Sequence, residues 1–569
     1  MQTHPPRFIL TCGVAALIAA TARPAAADIY DWNTGNTGDY GTAGNWTNES
    51  NGSNAVPTSG NVASIINGGT ATLNSGNYAA DEIWAGNNGN GNAGNGNLIV
   101  NGGTLTANNW LVAGRQGSSV GSITQTGGTI IQGNAGNRIQ VGEGGGTGTM
   151  TLSNNAVLQS VGTLAVGLGN NATGTMTIGG NANVTVGGET WIGAEGSQNA
   201  NLMTVNGGTF AFNSWFVVGR DGSTGTFTMN GGTVTKATAS SQNTGFFDVG
   251  GTSTATATVN LNGGVLAVDK VATESTRAIF NFNGGTLQAT GNGAATAFGV
   301  SAASFLDRFA QANVRNGGAT VDTNGNNITF DQTLQHSAVG GDAATDGGLT
   351  KTGTGTLTLT AANTYTGRTT VSVGTLALGP NGSIANSNQV RIAAGATFSV
   401  NATTAFSVPA AQTLTGTGIL AGGSSNLTLS GILAPGATPA VGTVGTLSIA
   451  TTGTLTLAGT TQFDLLAANN KDLISATGAN LTLGGVLALN AGASLPAGTY
   501  TLFSGLNGVS GAFSSVTGVP AGERASFTYD AANRNYNLVL TAVPEPSSLA
   551  AGVFLSGAAA GWLRRRRVE

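Results

Sequence analysis

Two histidines and one cysteine are all that this 569-residue chain offers for imidazole or thiolate chemistry. His4 and Cys12 stand in an apolar N-terminal stretch, so His336 is alone in the body of the chain. A Ser-His-Asp relay would have to run through it, yet it lies in a Gly/Asp-rich stretch with no serine-elbow motif nearby. His336 therefore reads as an exposed loop residue, and no residue is assigned a catalytic role. A metal site built from His and Cys is excluded by their number. Calcium needs only oxygen ligands, but the Gly86 to Asn97 tract lacks the aspartates of calcium-binding repeats, which favours a turn or an asparagine ladder. No metal and no cofactor is expected.

Carboxylates, arginines and tryptophans remain. Cleaving a glycosidic bond requires acidic groups converging on one groove. The position after each of seven recurring glycines holds Asn87, Arg115, Glu143, Leu168, Ala194, Arg220 and Gly251. In stacked coils Arg115 and Arg220 would be four levels apart, ~19 Å at the strand spacing, too far to act on one bond. That column reads as a solvated edge. Trp84, Trp110, Trp191 and Trp215 lie two or four residues before such a glycine, so even offsets send all four to one face of their strands. Because the same columns also carry apolar residues, packing into the core is expected rather than a sugar-binding stripe.

The elements that would position these residues are short strands. Charged residues make up 8% of the chain and there are 93 glycines, far from the average for a globular enzyme. Runs such as Gly355 to Thr360, with leucine and threonine alternating, carry the period of a half-buried strand, and Gly and Asn punctuate them. Val112-Ala113-Gly114, Ala165-Val166-Gly167, Trp191-Ile192-Gly193 and their counterparts at Gly86, Gly142, Gly219 and Gly250 recur every 25 to 31 residues. Most are followed by a turn of the type Asn101-Gly102-Gly103-Thr104, seen again from Asn206 and Asn230. A period in the twenties with two or three strands per unit predicts an all-β solenoid whose coils stack in parallel. About 20 coils at ~4.8 Å would make a rod on the order of 100 Å long.

The two ends read as addresses. Arg7, the apolar run Phe8 to Ala20 and Ala25-Ala26-Ala27 form a signal peptide over 1–27, with Ala25 and Ala27 at the cleavage site. At the other end Pro544-Glu545-Pro546 precedes a nearly unbroken apolar run, Leu549 to Leu563, and then Arg564, Arg565, Arg566 and Arg567. This order over 543–569 resembles the PEP-CTERM sorting domain of Gram-negative bacteria. The resemblance implies a hydrophobic sorting helix held transiently in the inner membrane, processing by an exosortase, and delivery to the cell surface or an extracellular polysaccharide matrix. A plain transmembrane anchor is the bland alternative. Without Arg7, Arg23, Arg564 to Arg567 and Glu569, the formal charge falls from −4 to −9, and nucleic-acid binding is excluded for want of a basic stripe.

Between the signals, 28–300 carries the Gly/Asn-rich coils, opening with Trp32, Trp46 and Pro57 as a cap. The region 301–380 begins with Phe305, Leu306 and Phe309, whose spacing predicts a short amphipathic helix over 302–314. It continues with Gly347 to Gly353, Thr356 to Leu359, Asn363 to Gly367 and Gly374-Thr375-Leu376, which resemble the autotransporter-associated β-strand repeat. That resemblance implies a right-handed parallel β-helix of the passenger type. Residues after 541 read as the sorting segment and not as a translocator barrel, so that family's export route is not carried over. Further coils fill 381–541, with Tyr529, Tyr536 and Leu538 as a C-terminal cap. The expected function is an exported, non-enzymatic structural or adhesive solenoid of the cell surface or biofilm matrix; the rival is a glycan-binding or glycan-cleaving β-helix.

Overall fold

The computed structural model describes residues 27–543 apart from 34, 89–93, 197, 238–244, 292–303, 437–441, 468 and 492–494. The sorting residues Pro544, Glu545, Pro546 and Arg564 to Arg567, the apolar tail, and the signal peptide up to Ala25 lie outside the described residues.

Among the described residues there is no α-helix, and the chain winds as a parallel β-solenoid with three walls. One coil shows how. Leu111–Arg115 lies in wall one, Val120–Gln125 in wall two and Thr129–Gln132 in wall three. Each strand is sandwiched between its counterparts one coil before and one after, as Ala113 is between Ala85 and Val141. Main-chain groups are thus paired along the axis without helices. Alternation then decides what is inside: Leu98, Ile123, Met150, Met176, Met203 and Phe227 form one buried column of wall two, while threonines of the same strands face out. Phe210, Phe216, Phe227 and Phe247 interlock mid-rod, with ring centroids 4.9 to 5.7 Å apart.

The recurring glycine is the corner between walls one and two. Gly114 has φ +68°, and a Cβ there would lie 2.2 Å from the carbonyl oxygen of Thr147 in the next coil. Only glycine meets both demands.

The ten parallel levels of the first wall-one sheet continue through a single bridge at Leu306 into eight more from Ile328–Phe330 to Gly498–Ser504. These about 19 levels give a rod of about 85 Å at ~4.8 Å per level. Wall two changes midway. Its first sheet ends at Leu334–His336, and strands resume in that position only at Ala405–Val408. In between, coils shorten, with Leu357, Leu376 and Phe398 stacked at sequence separations of 19 and 22, and buried Tyr365 and Ile384 fill the missing corner.

The helix expected over 302–314 is not present among its described residues. Ser304 to Ala310 is irregular and Gln311–Val314 is a strand of wall two. Phe305, Leu306 and Phe309 are buried because Leu306 bridges Val271 and Phe330, serving as one level of wall one. Apolar spacing of i, i+1, i+4 fits an irregular level of the wall as well as a helix face.

Both ends are capped. Trp46–Asn48 runs antiparallel to Ile29–Trp32, with Trp32 and Trp46 packed edge to face at 4.9 Å. At the far end Glu523–Asp530 and Asn535–Ala542 form an antiparallel hairpin that closes on Gly498–Ser504, with Phe527 stacked on Tyr536.

Candidate functional site

Chemistry-bearing side chains concentrate on the outside of wall one, between residues 82 and 274. Ile83 and Ala85 point into the core, so Glu82 and Trp84 between them point out. Stacking register then builds three outward columns. The first runs Glu82, Trp110, Arg138, Thr163, Glu189, Trp215, Phe246 and Lys270; the second runs Ser64, Trp84, Val112, Gln140, Ala165, Trp191, Val217, Asp248 and Ala272. Past the corner glycine, the third holds Asn87, Arg115, Glu143, Leu168 and Ala194, and Arg220 joins it by hydrogen-bonding its amide to the Gly193 carbonyl.

All four tryptophans do share one face, but that face is outside. Trp84 packs with Val62, Val112 and Trp110, and Trp191 with Ala165, Leu168 and Val217, in small clusters separate from the continuous core. The apolar neighbours in their columns made core packing look natural. In fact those neighbours are the outer floor of the wall.

Long side chains roof this floor. The Arg115 guanidinium lies 4.3 Å above the Trp84 ring, and Arg138 and Arg220 lie 4.8 and 4.3 Å above Trp191. Each buried indole N–H donates to a carboxylate two residues back: Trp84 to Glu82 at 2.8 Å, Trp191 to Glu189 at 2.6 Å. Arg220 also pairs with Glu189, and Arg138 with Glu195 at 3.2 Å. The column read as a solvated edge is thus an organised ionic layer.

Several polar atoms in this strip are buried without a partner: Arg115 Nε, Gln140 Oε1, Glu143 Oε2 and Asp248 Oδ1. Burial pushes the Glu82 carboxyl up, against the opposing Trp84 hydrogen bond and Arg115 charge. Glu143 is raised by burial and by Glu195, against Arg115. Asp248 is pushed up to about 8 by burial, with Glu274 adding to it and Arg220 opposing.

His336 is not a loop residue. It ends the strand Leu334–His336, and its Nδ1 lies 2.9 Å from Asp346 Oδ2 and 3.3 Å from Thr366 Oγ1. Burial alone would raise the Asp346 carboxyl, but amide hydrogen bonds from Thr366, Gly367 and Gly348 and the contact to His336 hold it low. With the Thr366 amide and hydroxyl and the Gly367 amide all donating to Asp346, the pair clamps a turn. Among the described residues no His/Cys/Asp/Glu group has the arrangement of a metal site. Residues 89–93 of the Gly86 to Asn97 tract lie outside the described residues; elsewhere asparagines form a ladder, as Asn230 donates to Asn206 and Asn262 to Asn230.

Residues 349–378 match the family model of the passenger-associated-transport-repeat. The first strand of this stretch, Leu349–Thr352, holds Lys351, whose buried ammonium hydrogen-bonds Thr323 Oγ1 and the carbonyls of Thr352, Gly353 and Val373, tying together successive coils. The match spans the region where wall two is interrupted, and it agrees with the β-strand repeat read from Gly347 to Leu376. No curated protein matches the chain. The repeat match covers 30 of the 569 residues, so the likeness to a passenger-type repeat holds for this stretch of the parallel solenoid.

Proposed function

We propose that the chain is an exported, non-catalytic rod that is delivered to the cell surface or an extracellular polysaccharide matrix, where it acts as a structural or adhesive element. The observation that carries this reading is the passenger-type repeat embedded in one continuous stack of parallel coils. A stack of this kind presents identical backbone levels along a stiff axis, which suits multivalent contact and resists proteolysis because few backbone groups are free. Sorting is assigned to the tail: Pro544-Glu545-Pro546 as the recognition element for an exosortase-type enzyme, the apolar run as a transient inner-membrane segment and Arg564 to Arg567 as its cytoplasmic stop.

Intact-mass analysis of the protein from fractionated cells and medium tests this. A chain beginning after Ala27, ending near Pro546 and found outside the inner membrane is the expected result. A full-length tail retained in the inner membrane would make the protein a tethered periplasmic one and overturn the matrix assignment.

A further inference from the structure

The outer strip of wall one contains the same constellation twice. Glu82-Ile83-Trp84-Ala85-Gly86 is followed one level on by Trp110-Leu111-Val112-Ala113-Gly114-Arg115. Four levels along, Glu189-Thr190-Trp191-Ile192-Gly193 is followed by Trp215-Phe216-Val217-Val218-Gly219-Arg220. In both copies the glutamate takes the indole N–H of the first tryptophan, the arginine Cζ lies 4.3 Å from that ring's centroid, and the second tryptophan stands half-buried beside it. The copies are ~19 Å apart along the axis.

Folding does not explain this repetition. The second half of the rod builds the same wall with Thr329, Thr358, Ala377, Ser399, Ala421 and Ala450 in the corresponding outward column. A wall of this solenoid therefore closes without tryptophan or charge outside. The strip also carries a cost that a purely structural patch avoids: buried donors and acceptors with no protein partner. Arg115 Nε and Gln140 Oε1 lie on the two levels that follow Trp84, with Glu143 Oε2 beside them, and Asp248 Oδ1 lies beyond the second copy. Gln140 and Asp248 are 2% and 4% exposed.

We infer that this strip binds a neutral linear polysaccharide laid along the rod axis, one segment at each copy. Unpaired groups of both kinds, a donor on Arg115 and acceptors on Gln140, Glu143 and Asp248, match hydroxyls, which donate and accept alike. The guanidinium groups over the indoles, together with the half-buried rings of Trp110 and of Trp215, the latter packed on Phe246 at 4.5 Å, line the strip with planar groups suited to the C–H faces of sugar rings. Charge sets the class. Arg115, Arg138, Arg220 and Lys270 are outnumbered by Glu82, Glu143, Glu189, Glu195 and Asp221 even with Asp248 left uncharged, so a polyanion is disfavoured. The spacing of the two copies selects a chain of linked sugars over a single ring, and occupancy of one copy raises the local concentration at the other. This deepens the exported-rod reading by naming a ligand and rests on it for encounter with polysaccharide; binding in vitro succeeds or fails whatever becomes of the tail.

Affinity electrophoresis of the exported protein through gels containing hydroxyethylcellulose, galactomannan, dextran or alginate is the test. The expected result is retardation by at least one neutral polymer and not by alginate, insensitive to added salt. Trp110→Ala or Trp215→Ala alone should weaken it roughly a hundredfold, as expected for loss of one of two linked sites, and the double variant should abolish it. Arg115→Ala with Arg220→Ala serves as a second pair, and thermal unfolding verifies that each variant is folded. Failure of all three neutral polymers to retard the protein, stronger retardation by alginate, or unchanged retardation of a folded double variant would each overturn the inference.

Discussion

Wall one is built twice over, once from 82 to 274 and once from 328 to 475, and its two halves share an apolar inside while their outsides diverge. Both fill the interior with aliphatic and aromatic columns: Leu111, Ile139 and Leu164 in the first, Leu357, Leu376 and Phe398 in the second. Outside, the first half carries tryptophan, arginine and carboxylate, while the second carries threonine, alanine and serine. Inner columns are therefore what folding needs, and outer columns are free to be spent on recognition. Breaking the symmetry inside should hurt either half; breaking it outside should matter to binding in the first alone.

The largest effect is expected inside. Phe216→Ala removes a ring in contact with Phe210, Phe212, Phe227 and Phe247 and should cost about 3–5 kcal/mol. Denaturant unfolding followed by tryptophan fluorescence, with Trp191 and Trp215 nearby, measures it.

Corner glycines come next and separate the two regions. Gly114→Ala puts a methyl 2.2 Å from a carbonyl oxygen in left-handed backbone and should cost about 2–4 kcal/mol. Gly395, in the second half's turn from wall three (Gln389–Ile392) into wall one (Thr397–Ser399), has φ +76° but open space around a Cβ, so Gly395→Ala should cost only the conformational part, about 1 kcal/mol. Equal losses in the two variants would refute the idea that axial crowding, and not φ, dominates the first-half corner.

Protonation distinguishes the halves by sign. Asp248, with a normal carboxyl when unfolded and a folded pKa pushed up to about 8, binds more protons folded than unfolded; the stability of its coils should fall as pH rises from about 4 through 8. Lys351 is lowered to about 8, by burial against the opposing charge of Asp322, so between about 8 and 10 the unfolded state binds more protons and its coils should gain stability. Hydrogen exchange read separately over the two regions should show opposite slopes, and Asp248→Asn and Lys351→Met should each flatten its own. A common slope in both would sink this contrast.

The smallest effect is expected outside the second half, where Thr358→Ala should change stability by less than about 0.5 kcal/mol in the same unfolding assay.

The stacking period was legible because glycine at the corner is demanded by two independent constraints and so recurs in sequence. The face shared by the tryptophans was legible too, since even offsets survive any register. Whether that face looks in or out was not: alternation places Ile83 and Trp84 on opposite sides, but both are apolar, and only the pairing partners decide. The duplicated Glu-x-Trp-x-Gly and Trp-x-Val-x-Gly-Arg pattern was present in the letters, yet its members meet only across levels. His336 and Asp346 are ten residues apart, and their contact depends on the turn that Thr366 and Gly367 supply from the next coil. Residues 304–314 misled because an irregular level of the wall and a short helix bury the same residues.

The antiparallel caps on wall one have a further consequence. Trp46–Asn48 and the hairpin Glu523–Ala542 occupy the two edges where another parallel strand would otherwise add. Growth by end-to-end addition along this wall is blocked, in contrast to an amyloid fibril built from the same kind of ladder. The rod's reach along this wall is accordingly written in the number of coils, lengthened when the gene gains one and shortened when it loses one.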